Sequence, residues 1–210
     1  MLHKFSELTD STVIKIVILG DGAVGKTTTI KALQHYAENY TTDHFVTEKT
    51  FRTRFMDFHM IPSPTRENAR YQIWDLQGQR NTIGTHPLEV IGDTIIKGAQ
   101  LILLTFALDD PDSFEHLLVK DGWYDLVKTY VETQNIPCVV LGNKADRPMT
   151  LYEDAIEKML SRIDAVKGYH IISALTGQGI PAFFQILEHQ VTQILLDDPS
   201  LSNNIIQTPA

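Results

Sequence analysis

The chain has 210 residues, 43% of them apolar, which is enough for one substantial core and sets the expectation of a single domain with short appendages. Its formal net charge of −8 excludes a nucleic-acid binder that works by phosphate neutralisation, because such proteins present a net basic face and no Lys/Arg cluster supplies one here. One cysteine, Cys138, permits neither an internal disulfide nor a Cys/His zinc pattern, and points to a reducing, cytoplasmic setting.

Met1 to Asp10 has no signal-peptide core, and residues 1–12 are expected to form an N-terminal extension. Val13 to Leu19 is a β-branched apolar run that stops at a glycine-rich turn, and Lys26 to Tyr36 follows with helical character. Phe51 to Ile61 and Arg70 to Trp74 read as two strands, and Pro62, Ser63, Pro64 and Asn68 between them predict a hairpin. Strand and helix then alternate: a strand at Leu101 to Phe106, a helix within Ser113 to Thr133, a strand at Cys138 to Leu141, a helix over Leu151 to Val166 and a strand at Tyr169 to Ile172. The last helix puts Phe183, Ile186, Leu187, Val191, Ile194 and Leu195 on one face and leaves a polar outer face. Leu101 to Leu108, among the longest apolar runs, is far too short to span a bilayer, and residues 197–210 read as a frayed tail. The order of elements predicts an α/β fold: a mostly parallel six-stranded sheet with one antiparallel edge strand, helices on both faces, and ligands at the carboxyl ends of the strands.

Gly20-Asp21-Gly22-Ala23-Val24-Gly25-Lys26-Thr27 matches the GxxxxGK[ST] phosphate loop and lies between a strand and a helix, as that motif requires. Its glycines let the backbone curl so that N–H groups face phosphate oxygens, and the helix N-terminus favours an anion there. Lys26 would bridge the β- and γ-phosphates, and the Thr27 hydroxyl would ligate Mg²⁺. Asp75, at the end of the third strand, would support the metal through water, Gly78 would offer its N–H to a γ-phosphate, and Gln79 would orient the attacking water. Asn143-Lys144-Ala145-Asp146 follows the next-to-last strand. A carboxylate there can accept from both N1–H and the exocyclic amine of guanine, a pair that adenine does not offer, which discriminates by roughly 10⁴-fold or more. Ser173-Ala174-Leu175, after the final strand, offers backbone N–H groups toward the guanine O6.

With these motifs in this order, the chain resembles the Ras superfamily of small GTPases from about Val13 to Leu196, and the stretch from Gly98-Ala99-Gln100-Leu101 through Asp112-Ser113-Phe114 is similar to its Rab and Ras members. The resemblance implies a P-loop NTPase fold, a small G domain over residues 13–196, with Gly20, Asp21, Gly22, Ala23, Val24, Gly25, Lys26, Thr27 and Thr28 lining the phosphates. It assigns Asp75, Gly78 and Gln79 to a second switch, with Gln79 catalytic, and Asn143, Lys144, Asp146, Ser173, Ala174 and Leu175 to the base site. A first-switch threonine should complete the metal set; Thr41, Thr42, Thr47 and Thr50 all lie in the window, and Thr47 is preferred because Thr47-Glu48 precedes the second strand.

The implied protein is a slow GTPase that switches between GTP and GDP with Mg²⁺, in signalling or trafficking, and meets effectors, an exchange factor and a GTPase-activating protein. Three features depart from the family pattern: several threonines stand where the first switch should supply one, the hairpin at Pro62 to Asn68 is longer than usual, and the C-terminus has no cysteine for prenylation. Met1-Leu2 also excludes N-myristoylation, so no lipid anchor is expected. No arginine between Lys26 and Thr47 could act as a built-in finger; Arg52 and Arg54 read as solvent-facing strand residues and Arg80 as a surface residue of the second switch. A nucleotide kinase would lack its arginine-rich lid, and a non-cycling GTP-binding interaction module is the remaining alternative. His35, His44, His86 and His170 read as turn or surface residues, Glu153, Asp154, Glu157 and Lys158 as a solvated helix face, and Trp74 and Phe106 as core.

Overall fold

Six strands form one sheet in the computed structural model of this chain: β1 (Thr12–Leu19), β2 (Met56–Pro62), β3 (Ala69–Leu76), β4 (Leu101–Ala107), β5 (Cys138–Asn143) and β6 (Val166–Ile171). The structure describes residues 12–42, 56–63, 65–76, 78, 87–151, 153–161 and 163–197. Among them lie helices α1 (Lys26–Asn39), α2 (Pro87–Ile96), α3 (Pro111–Leu118), α4 (Trp123–Gln134), α5 (Glu153–Leu160) and α6 (Ile180–Asp197). The sheet order is β2-β3-β1-β4-β5-β6, with β2 antiparallel to β3 and every other pair parallel.

The period of two along a strand divides the core. In β1, Ile14, Ile16 and Ile18 face the side covered by α1 and α6, while Val17 and Leu19 face the side covered by α2, α3, α4 and α5. The split repeats in β4, where Leu101 and Leu103 oppose Ile102 and Leu104, and in β5, where Val139 and Leu141 oppose Cys138 and Val140. Both faces are therefore apolar, which explains why these strands read as unbroken hydrophobic runs. All five parallel strands point their carboxyl ends to one edge of the sheet, and β1 is its turning point, with β3 on one side and β4 on the other.

Several boundaries differ from the sequence expectation. The helix expected within Ser113 to Thr133 is two helices, because Asp121 takes a left-handed φ of 60° and the chain turns at Gly122 before α4 begins. A Cβ on Gly122 would lie 2.4 Å from the carbonyl oxygen of His116, so this turn admits only glycine. The helix expected to reach Val166 ends at Leu160; turns closed by Ile163 N–H to Leu160 O and Val166 N–H to Ile163 O release the chain into β6 three residues before the expected strand. Helix α2 has no counterpart in the sequence reading. His170 lies within β6 and is half-buried rather than in a turn, and burial lowers its pKa. Trp74 is only partly buried: Lys15 Nζ lies 3.7 Å from its ring centroid, and the exposed Phe58 meets it edge-on at 4.6 Å. Phe106 is fully buried between Phe114 and Tyr169. The Cys138 thiol is buried, and its pKa is pushed up to about 12, so it is inert at neutral pH.

Candidate nucleotide-binding site

The loop after β1 is built by close backbone approach. A Cβ on Gly20 (φ 141°) would fall 2.0 Å from the carbonyl oxygen of Thr105 in β4, and one on Gly25 (φ 99°) would fall 2.2 Å from Asn143 Nδ2. Ala23 also takes a left-handed φ of 64°. Gly25 opens α1 with no side-chain cap, so the first-turn N–H groups around Lys26, Thr27 and Thr28 carry the helix's positive end toward the loop. Lys26 is 6% exposed and folds back over the loop, where its Nζ donates to the carbonyls of Gly20 and Asp21, both at 2.8 Å. Burial is the main influence on this ammonium and lowers its pKa from 10.5 to about 8, against the opposing pull of the Asp75 and Asp21 carboxylates.

Asp75 is fully buried near the end of β3 and accepts a 2.5 Å hydrogen bond from the Thr27 hydroxyl. Beyond it, Gly78 presses on the phosphate loop: a Cβ there would lie 2.4 Å from Lys26 Nζ and 2.3 Å from the carbonyl carbon of Asp21. Thr47 and Gln79 lie outside the described residues, as do Thr50, Arg52, Arg54, Arg80, His44, His86 and most of the two expected appendages. Thr41 and Thr42 are described and follow the left-handed Tyr40 that ends α1.

Asn143 joins the three loops. Its Nδ2 donates to the carbonyl of Val24 in the phosphate loop at 2.9 Å, and its Oδ1 accepts from the N–H of Ala174 at 3.0 Å. Lys144 is held at a φ of 70°, and Ala145 N–H donates to Ile172 O. Asp146 is exposed; its Oδ1 accepts the Ser173 hydroxyl at 2.5 Å, and its other oxygen meets no donor among the described residues. Ser173 and Ala174 are buried, whereas Leu175 is exposed. The structure thus brings together, at one edge, all the described residues assigned from the motifs: Gly20 to Thr28, Asp75, Gly78, Asn143, Lys144, Asp146 and Ser173 to Leu175.

Three further residues at this edge escape the motif reading. The Asp21 carboxylate turns to the helices beside the loop, where the buried Trp123 donates its indole N–H to Oδ1 at 2.7 Å and His116 Nδ1 lies 2.5 Å from Oδ2. Asp109, just past β4, lies 3.1 Å from Lys144 Nζ and 2.7 Å from Arg147 Nη1. The only sequence signal for the first pair was the indole N–H of a tryptophan, which needs a partner once buried. Asp109 gave none.

A phosphate-loop α/β sheet with a strand-end aspartate and an NKxD turn at one edge is the P-loop NTPase fold in its small G-domain form. Residues 15–193 match the Ras family, and the chain therefore belongs to that family of small GTPases. It is similar to GTP-binding protein rho2 of Schizosaccharomyces pombe, with 29% identity over 185 residues, covering 81% of this chain and 83% of that protein. It is also similar to Ras-related protein RabO of Dictyostelium discoideum, 30% identical over 68% of this chain and 58% of RabO. With human Ras-related protein Rab-9B the identity is 31%, over 65% of this chain and 62% of that protein. No described helix is long and apolar enough to cross a membrane.

Proposed function

We propose that the chain is a cytoplasmic guanine-nucleotide switch, with its G domain over residues 13–196, that holds GTP or GDP at the edge described above and presents the GTP state to protein effectors. The observation that carries this reading is Asp146, which stands exposed with one oxygen fixed by Ser173 and the other facing no donor among the described residues, beside an asparagine that joins the phosphate loop to the Ser173 turn. A carboxylate so fixed presents acceptors for the paired donors of guanine. Lys26 and the loop N–H groups bind the phosphates, and Gly78 sits where a γ-phosphate would meet the second switch.

Thr27 and Asp75 supply adjacent hard oxygen donors, the chemistry Mg²⁺ prefers, and Thr47 would join them in the GTP state. Mg²⁺ there would neutralise charge on the β- and γ-phosphates. Gln79 would orient the attacking water, and an activating protein would supply the positive charge, since no arginine lies between Lys26 and Thr47. An exchange factor would release GDP, and hydrolysis would end effector recognition.

The test is nucleotide analysis and single-turnover hydrolysis of the purified protein and two variants. Asp146→Asn should shift preference from guanine to xanthine nucleotides, because an amide donates where the carboxylate accepted, with roughly 1.5 to 3 kcal/mol lost for GDP. Gln79→Leu should keep nucleotide affinity and slow hydrolysis. Parental GDP binding by Asp146→Asn would remove the base-site assignment; parental hydrolysis by Gln79→Leu would remove the catalytic one.

A further inference from the structure

We propose that Asp109 is a positioning residue for guanine recognition: by holding Arg147, the cation next to Asp146 in the chain, it keeps that guanidinium from closing on the Asp146 carboxylate and leaves it open to the base. The inference rests on the assignment of Asp146 to the base site and adds a residue that no motif contains.

The placement is fixed by backbone. Leu108 N–H donates to Asn143 O at 2.8 Å, and Leu108 O accepts from Thr150 through both its N–H (3.0 Å) and its hydroxyl (3.1 Å), so the end of β4 is tied to both ends of the loop 143–150. Asp109, the next residue, therefore faces the turn that Arg147 N–H closes onto Lys144 O. Its two oxygens are divided between the two cations, Oδ1 with Lys144 Nζ at 3.1 Å and Oδ2 with Arg147 Nη1 at 2.7 Å. Asp109 is 19% exposed, against 56% for Arg147, so the carboxylate is the anchored partner. Burial opposes its charge, yet the hydrogen bond from Arg147 and the nearby Lys144 ammonium hold its pKa below the ordinary value. Arg147 also feels the charge of Asp146, its chain neighbour.

Chemistry makes this division matter. A guanidinium and the guanine edge ask a carboxylate for the same thing, two parallel N–H donors received by its oxygens. An arginine that lost Asp109 would have Asp146 as the adjacent acceptor, and its fork would then compete with the nucleotide for the oxygen that Ser173 leaves open. Asp109 acts on the base through Arg147 and need not touch it.

The test is a fluorescent-GDP titration of full-length protein, with thermal unfolding in parallel. Asp109→Ala should weaken GDP about tenfold, and Asp109→Ala/Arg147→Ala should return to the affinity of Arg147→Ala alone, since removing the competitor removes the need for its holder. If Asp109→Ala does not fold, Asp109→Asn carries the same comparison. A single variant with parental affinity, or a double variant as weak as the single one, overturns the proposal; the latter is the outcome for a tie that merely supports the loop. Asp146→Asn, titrated with GDP and XDP, separates the two failures. If it keeps the parental preference, the base site itself is misassigned; if it changes preference while Asp109→Ala binds as the parent does, only the role of Asp109 falls.

Discussion

The chemistry of Lys26 in the phosphate loop depends on its burial. With its pKa near 8 in the folded protein and 10.5 ordinarily, the unfolded chain keeps a proton that the folded one has lost across that window. This group therefore adds stability as pH rises from about 8 toward 10.5 and contributes no pH dependence below about 8. Phosphate oxygens reverse the preference, because they stabilise the ammonium. Above pH 8, GDP binding should take up close to one proton, and affinity should fall by up to about tenfold per pH unit. Calorimetry at about pH 9 in two buffers of different ionisation enthalpy measures that uptake, and Lys26→Met should abolish it. The lysine and its loop were legible in the sequence because their signal is contiguous: Gly20 and Gly25 take positive φ within one short turn, and Lys26 opens the helix that follows. Trp123 and His116 were not, since their partner Asp21 lies 102 and 95 positions away, a pairing that only the finished sheet creates.

At the scale of elements, two glycines make opposite predictions. Gly122 separates α3 from α4, and its missing Cβ makes room for the carbonyls of His116 and Val119, so Gly122→Ala should destabilise the protein by about 1–3 kcal/mol. Gly92 lies inside α2, and among the described residues a Cβ there would meet only Leu88 Cβ at an ordinary 3.8 Å. Gly92→Ala should instead stabilise by about 0.4–1 kcal/mol through the unfolded chain. Urea unfolding of both variants measures the two signs. The same glycines explain what the sequence left hidden: Gly92 weakens the helical signal of α2, and the break at Gly122 interrupts apolar spacing that otherwise reads through. The buried parallel strands β4 and β5 were plain because both their faces are apolar and their runs are uninterrupted.

At the scale of the whole molecule, the β2–β3 hairpin is fastened to the last helix through Glu188. This carboxylate is buried in α6, and its Oε1 accepts Ser63 Oγ at 2.7 Å and the Tyr71 hydroxyl at 2.5 Å. Its Oε2 accepts Thr65 Oγ1 at 2.5 Å and Arg66 Nη1 at 2.6 Å, and Arg66 also reaches the Thr192 hydroxyl. Glu188→Ala leaves the Tyr71 hydroxyl and Arg66 without their acceptor and should cost about 3 kcal/mol or more, read as a lowered midpoint in thermal or urea unfolding. The sequence reading placed a polar outer face on this helix and a turn-rich hairpin far from it. Partners 117 to 126 positions apart are beyond what either pattern can announce.

That carboxylate also sets how the molecule breathes. The connection from β2 to β3 and the second half of α6 share one acceptor, so neither can detach while the other stays satisfied, and they form a single cooperative opening unit. Amide hydrogens from Ala69 to Ile73 and from Phe184 to Thr192 should exchange with one common opening free energy, and Glu188→Ala should separate them into two. Mass-spectrometric exchange on peptides spanning the two stretches would detect that separation even where nucleotide binding is unaffected.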